Sequence, residues 1–301
     1  MISIIIPTLN AQKYLSTLLI KLKDQSIQST EILIIDSSSE DNTCRIAESF
    51  GAKVMSIDRK DFNHGGTRNL GVRHASGDII VFFTQDALLA NENALENLIK
   101  PFSTNKEIGA SYGRQLPRQG ANPIVAHARL FNYPSINQVK SIADAPKNGI
   151  KTAFISNAFA AYRRSALQSI GGFPVNTILN EDTYVAAKLL HAGWKIAYCA
   201  DAKVYHSHNY NPIEEFRRYF DIGVFHSREP WIRQSFGQAE GEGIKYVRSE
   251  LKYLWNESMR IIISALLRTA MKFMGYKLGF MEQRIPIGLK IHLSMNKQFW
   301  K

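Results

Sequence analysis

Cysteine is scarce in this chain. Its two thiols, Cys44 and Cys199, lie far apart and match no metal-ligand spacing. That excludes a disulfide framework and points to a reducing compartment. Long apolar runs are also absent: no window reaches the roughly 18 uninterrupted apolar residues of a spanning helix, so the chain does not read as an integral membrane protein. The opening Met1-Ile2-Ser3-Ile4-Ile5-Ile6-Pro7 lacks the basic flank and length of a signal peptide and reads as a first strand. No repeat or low-complexity segment is visible. What remains is globular in character: 301 residues, 45% hydrophobic and 21% charged, enough for one large domain or one domain with an appendage.

Acidic residues thin out toward the end of the chain. From residue 244 onward, eleven Lys and Arg face three Glu, which accounts for +8 of the net +11. Such a basic stretch calls for an anionic partner, either nucleic acid or phospholipid. In 244–276 the apolar positions 247, 251, 254, 255, 259, 262, 263, 266, 270 and 273 recur at three- and four-residue steps, with basic residues mostly between them. This is the pattern of a basic amphipathic helix. Trp255, Phe273, Tyr276, Phe280 and Trp300 add interfacial aromatics, which favours an anionic bilayer over a stripe packed on the rest of the protein. Nucleic acid has only the charge in its favour and is set aside.

Residues 1–115 alternate between strand and helix patterns. Strands are expected over Ile2–Pro7, Glu31–Asp36, Lys53–Ile57 and Ile79–Phe83, and helices over Ala11–Asp24, Ser39–Ser49, Thr67–Ala75 and Ala94–Phe102. Helices of about ten residues between strands imply right-handed crossovers and an α/β fold with a mostly parallel sheet. Region 116–160, with Pro117, Pro123, Pro134 and Pro146, reads as loops and short elements that shape a pocket. Beyond it come helices at Arg163–Ile170 and Glu181–Ala192, strands at Ile196–Tyr198 and Lys203–Tyr205, and a helical pattern from about 212.

Chemistry collects at the expected strand ends. The apolar run Ile79-Ile80-Val81-Phe82-Phe83 stops at Thr84-Gln85-Asp86, and an acid outside the carboxyl end of a strand is placed to hold a metal ion and, through it, a phosphate. The first two strands end in Pro7-Thr8-Leu9-Asn10 and Asp36-Ser37-Ser38-Ser39, whose short polar side chains suit a nucleobase edge and a ribose or, equally, helix caps. In Asp61-Phe62-Asn63-His64-Gly65-Gly66-Thr67-Arg68-Asn69 the glycines permit close backbone approach, and Arg68 would pair with Asp36 or with a ligand oxygen. Asn180-Glu181-Asp182 opens a helix, and His206-Ser207-His208 follows a strand. Arg217, Arg218, Tyr219 and Asp221, on the next helix, read as a solvated face or as contacts for a lipid-linked diphosphate.

Together, Pro7-Thr8-Leu9-Asn10, Ile34 to Thr43, Gly66-Thr67-Arg68-Asn69, Thr84-Gln85-Asp86-Ala87, Asn180-Glu181-Asp182 and His206-Ser207-His208 resemble glycosyltransferase family 2. Within it, Phe62 to Asn69 and Thr84-Gln85-Asp86 are most similar to bacterial rhamnosyltransferases of O-antigen and related surface polysaccharides. The resemblance spans about residues 1–230. It implies a GT-A fold over 1–230, with 231–301 as a basic amphipathic helical extension. It also implies an inverting, metal-dependent transfer of a sugar, L-rhamnose from dTDP-L-rhamnose, to a lipid-linked saccharide acceptor.

Carried over, the resemblance places Thr8, Asn10, Asp36 and Ser38 in the nucleoside pocket with Arg68 close by, and gives Gln85 to the ribose. Asp86 and His206 become ligands of Mn²⁺ or Mg²⁺, with His208 not separable from His206 by sequence. Asp182 becomes the catalytic base and Glu181 its orienting neighbour; Asn157 and Trp194 lie near sugar or acceptor. The family's Asp-x-Asp motif is degenerate here, Thr84 and Gln85 standing where a first acid is usual. A UDP-hexose donor is the near alternative, and a non-catalytic nucleotide-sugar-binding protein is the reading from a different class. The expected location is cytoplasmic, peripheral at the inner face of the cytoplasmic membrane.

Overall fold

A computed structural model describes residues 1–28, 31–237 and 240–301. The elements in chain order are β1 (Ile2–Thr8), α1 (Gln12–Lys23), β2 (Glu31–Asp36), α2 (Thr43–Ser49), β3 (Lys53–Ser56), α3 (His64–His74), β4 (Ile79–Phe83), β5 (Leu88–Leu89), α4 (Ala94–Thr104), β6 (Ile108–Leu116) and α5 (Pro123–Asn132). They continue with β7 (Gln138–Lys140), α6 (Ala145–Asn148), β8 (Phe159–Arg163), α7 (Arg164–Ser169), α8 (Glu181–His191), β9 (Lys195–Tyr205), α9 (Pro212–Arg228), α10 (Pro230–Phe236), α11 (Glu240–Tyr253), α12 (Met259–Phe280) and α13 (Ile287–Leu293).

The strands form one mixed sheet in the order β3-β2-β1-β4-β8-β6-β9-β5, with β7 also paired to β9. β1, β2, β3, β4, β6 and β9 point the same way, and β8 runs against its neighbours β4 and β6. Alternation along the central strands builds two cores. Ile4, Ile6, Ile34, Val81 and Phe83 face α1 and α4, whereas Ile5, Leu33, Ile35, Ile80 and Phe82 face the layer containing α7 and α8. With both faces covered, these strands read in sequence as unbroken apolar runs.

The sheet's strands carry the site to one edge. Thr8 pairs with Asp36, and Asp36 with Ser56, so β1, β2 and β3 end level. β5 pairs antiparallel with β9 through Leu88 and Tyr205, and Leu116 of β6 also pairs with Tyr205. The residues just after β4 and just after β9 are therefore drawn together.

Three features depart from expectation. Region 116–160 holds short elements, α5, β7 and α6, but ahead of it Ile108–Leu116 forms β6, where no strand is expected. β6 (Ile-Gly-Ala-Ser-Tyr-Gly-Arg-Gln-Leu) is a sheet strand hidden by polar letters, whose Ser111 hydroxyl donates to the Leu98 carbonyl at 2.6 Å. The two short strands near 196 and 203 are one strand, β9, with a register shift against β6 between Gly113 and Arg114. The long helix of 244–276 is two, α11 and α12, broken at 254–258.

The orientation of α12 has its own cause. A Cβ at Gly275 would lie 2.3 Å from the Phe216 carbonyl oxygen, and one at Gly279 would lie 1.9 Å from that of Phe220, so the α12 and α9 backbones touch. On the same contact, Arg268 and Lys272 reach the Glu215 carboxylate at 3.2 and 3.5 Å with side chains largely buried. α12 thus turns glycine and paired charge inward, leaving Met259, Ile263, Leu266, Leu267, Phe273, Met274 and Leu278 exposed. Among the described residues no helix is long and apolar enough to cross a membrane.

Candidate active site

Asp86, His206 and His208 converge just past the ends of β4 and β9, each offering one ligand atom, all within 4.8 Å of one another. His206 Nε2 lies 3.4 Å from Asp86 Oδ1, His208 Nε2 lies 3.6 Å from Asp86 Oδ2, and the two Nε2 atoms are 3.2 Å apart. Gln115 sets the tautomer of His206. Its amide Nε2 donates to Ser156 Oγ at 2.8 Å, which turns Oε1 to His206 Nδ1 at 2.9 Å. The network thus assigns the proton to Nδ1 and leaves the Nε2 lone pair aimed at a carboxylate oxygen.

Burial lowers the His206 pKa despite its contact with Asp86, and burial together with the neighbouring His206 brings His208 down to about 4. For Asp86, burial alone would raise the carboxyl, but His206 and His208, whenever they are protonated, and the Arg118 guanidinium outweigh it and hold it well below the usual range. Two imidazoles whose pKa values burial lowers, and a carboxylate, with one ring nitrogen or oxygen of each close together, form a donor set that fits a divalent cation. Both histidines belong to the cluster.

Arg118, invisible to sequence reading because it sits in irregular chain, donates Nη2 to the Asp86 backbone carbonyl and lies 3.2 Å from Oδ2. Its guanidinium also covers the Tyr14 ring at 4.8 Å.

A second network holds the candidate base. Asp182 is half-buried at the start of α8; its Oδ2 accepts from the Asn157 backbone N–H at 3.2 Å and its Oδ1 from that of Thr183 at 2.7 Å. Neighbouring Glu181 is buried and ion-pairs with Arg68 at 3.1 Å while accepting from Asn157 Nδ2 at 3.0 Å. Asn157 Oδ1 accepts from the Tyr162 hydroxyl at 2.8 Å. Burial, and then the charge of Glu181, raise the Asp182 carboxyl toward neutrality; the Arg68 charge keeps Glu181 low against its own burial. The two networks meet, because Ser156, which accepts from Gln115, precedes Asn157, which holds Asp182.

Beside these lies a cavity of about 560 Å³, lined by Pro7, Thr8, Leu9, Ser37, Arg59, Lys60, Phe62, His64, Arg68, Thr84, Gln85 and Gln298, a size that suits a small organic ligand. Of the expected nucleoside residues, Thr8, Arg68 and Gln85 line it. Asp36 stands behind that wall, accepting from Thr8 Oγ1 at 2.8 Å and from Ser39 through its backbone N–H and hydroxyl. Asn10 and Ser38, both at positive φ, shape the loops: Asn10 Oδ1 accepts from the Glu40 N–H, and Ser38 Oγ donates to the Ile57 carbonyl. Gln85 bonds the Leu9 backbone at both ends of its amide, at 2.8 and 3.1 Å, so its carboxamide braces the pocket floor.

Several side chains lie elsewhere than expected. Arg68 pairs with Glu181 and not with Asp36, because α3 begins at His64, capped by Asn63 Oδ1, and Arg68 falls in its second turn. Trp194 packs on Gly109 at the opposite end of β6 and donates to Ser169 Oγ, a partly buried position at the edge of the core and remote from the cluster. Asp221 is fully buried and faces chain segment 294–296, away from solvent. Arg59, Lys60 and Gln298 line the cavity without a motif to announce them.

The mixed α/β sheet, with a cavity, an Asp–His cluster and a half-buried carboxylate at its strand ends, is the GT-A fold of glycosyltransferases. A sequence model of glycosyl transferase family 2 matches residues 3–171, and the chain belongs to that family. It is 50% identical over 301 residues to the O-antigen chain rhamnosyltransferase RfbN of Salmonella typhimurium, covering 99% of this chain and 96% of that protein. It is 49% identical to WbaN of Salmonella anatum, another O-antigen chain rhamnosyltransferase, over 92% of this chain and 88% of that one. In fold it is similar to the mannosyltransferase PcManGT of Pyrobaculum calidifontis, solved with GDP-Man and Mn²⁺ (TM-score 0.65, 17% identity, 94% and 88% coverage). It is similar also to TarS of S. aureus (TM-score 0.59, 18% identity, 98% and 83% coverage).

Proposed function

We propose that this glycosyltransferase moves L-rhamnose from dTDP-L-rhamnose, with inversion, onto a lipid-linked saccharide of a growing O-antigen chain. Half-identity to two O-antigen rhamnosyltransferases over nearly the whole chain supports the donor sugar and the pathway. The observation that carries the chemistry is the convergence of Asp86, His206 and His208 on one point, joined through Gln115, Ser156 and Asn157 to Asp182.

In this reading the cavity beside β1 and β4 takes the nucleoside, with Thr8 and Ser37 on its wall and Arg59 and Lys60 at its basic rim. Asp86, His206 and His208 hold Mn²⁺ or Mg²⁺, imidazole favouring the former. When bound, that cation supplies positive charge to the departing diphosphate. Arg118 fixes the Asp86 carboxylate and adds a fixed cation beside it. Asp182 accepts the proton of the acceptor hydroxyl as the new C–O bond forms at the anomeric carbon and the bond to the diphosphate breaks on the opposite face. Its raised pKa makes it a stronger base than a solvated carboxylate. Asn157 and the Arg68–Glu181 pair hold it in place.

The segment 231–301 acts as a basic extension that seats the enzyme on anionic phospholipid, where its lipid-linked acceptor resides. The outward stripe from Met259 to Leu278, with Trp255 80% exposed, would enter the interface; exposed Arg248, Lys252, Arg260 and Lys277 flank it.

A binding and transfer experiment tests the donor assignment. The protein is titrated with dTDP and UDP in Mn²⁺ or Mg²⁺, then assayed with dTDP-L-rhamnose and UDP-hexoses. Preference for UDP and turnover of a UDP-hexose would replace the rhamnose reading with a different donor.

A further inference from the structure

One wall of the cavity comes from a part of the chain far from every motif. Gln298 lines it beside Arg59, Phe62 and His64. It is carried by a short segment with an anchor on each side. On one side the fully buried Asp221 of α9 accepts four hydrogen bonds: from Ser294 Oγ at 2.6 Å, the Met295 N–H at 3.1 Å, the Asn296 N–H at 3.0 Å and Asn296 Nδ2 at 2.9 Å. On the other side Trp300 is buried in the core, with the Arg228 guanidinium 5.2 Å and the Lys290 ammonium 5.0 Å from its ring. Both cations are themselves tied to Glu282, Arg228 at 3.0 Å.

Between two such anchors, Gln298 is exposed, and among the described residues its carboxamide makes no hydrogen bond. A buried carboxylate with four protein donors is costly to assemble unless the segment it orders is wanted in one place. The ordered segment delivers an amide, one donor group and one acceptor, to the wall of the cavity that also contains Thr8 and Ser37 from the ends of β1 and β2. That is the chemistry that reads a base edge or a ribose hydroxyl.

We propose that Gln298 is a donor-recognition residue that hydrogen-bonds the nucleoside of the nucleotide-sugar, and that Asp221 is its positioning residue. This rests on the reading of the cavity as the donor pocket. Residues 294–300 therefore complete a site whose other walls come from the first hundred residues.

The test uses the full chain and isothermal titration with dTDP in Mn²⁺, alongside steady-state kinetics. Gln298→Ala, an exposed change with no fold penalty, is expected to weaken dTDP binding about 3- to 10-fold, the worth of one or two neutral hydrogen bonds. Donor KM should rise by the same factor, with kcat and acceptor KM unchanged. Asp221→Asn should give the same phenotype, and the double variant should be no worse than Asp221→Asn alone, because one residue acts through the other. Equal dTDP affinity in wild type and Gln298→Ala overturns the recognition role. Additive losses in the double variant overturn the positioning role of Asp221. Absence of dTDP and UDP binding by the wild type removes the donor-pocket reading itself, and this inference with it.

Discussion

Gln115 accepts the Nδ1–H of His206 at 2.9 Å while its own amide nitrogen donates to Ser156 at 2.8 Å. A neutral residue near the end of β6 thereby decides which nitrogen of the imidazole faces Asp86. Gln115→Leu keeps the volume and removes the acceptor. Metal affinity, read by Mn²⁺ titration in the presence of dTDP, is expected to fall about 10- to 100-fold, the usual effect of losing such a supporting contact. Unchanged affinity would show that His206 is held by packing alone.

Asp182 carries the proton in the proposed reaction. Asp182→Asn should lower kcat by about 10²- to 10⁴-fold while dTDP binding stays within a few-fold of wild type. A variant that transfers at the wild-type rate would remove this residue from the mechanism.

The pH profile follows from the same carboxyl. A base works when deprotonated, and Asp182 is raised toward neutrality by burial and by Glu181. Activity should therefore hold at alkaline pH and fall as pH drops through the raised pKa. In Glu181→Gln the neighbouring negative charge is gone and Arg68 is left to favour the carboxylate, so the acid limb should move to lower pH. An acid limb that stays put, or moves up, contradicts the assigned cause.

Arg68 and Glu181 form a buried pair with side chains 6% and 7% exposed. Removing one partner strands the other charge, at about 3–5 kcal/mol. Arg68→Ala should lower the thermal midpoint by several degrees and disturb Asn157 and Asp182 together. Arg68→Ala as stable as wild type would mean the carboxylate takes up a proton at little cost.

The outward face of α12 predicts membrane behaviour. Ile263→Asp with Phe273→Asp should abolish co-sedimentation with anionic liposomes while leaving transfer to a soluble acceptor intact. High salt should weaken binding of the wild type only in part, since apolar insertion is not screened. Full retention of the double variant on liposomes would place the contact elsewhere.

The strands of the N-terminal half were legible because the central apolar runs, β1, β2 and β4, are mostly buried on both faces and end in turn-forming polar residues; Glu31–Asp36 and Ile79–Phe83 fall where the pattern puts them. β6 was not legible. Its burial comes from neighbours distant in sequence, which satisfy Ser111 and Gln115 and fill the space above Gly109 and Gly113. The same limit applies to Arg118, on a loop, and to Gln298, in a single 3-10 turn, neither of which has a periodicity to read.

The amino-acid order alone thus determined the alternation of strand and helix, the acids and histidines at strand ends, and the family to which the chain belongs, because these depend on local pattern and short motifs. Tertiary structure decided which of those residues meet. The β5–β9 pairing brings residue 86 to residues 206 and 208, and the α9–α12 backbone contact turns an apolar stripe outward. Both outcomes follow from contacts between segments far apart in the chain, whose geometry no local pattern contains.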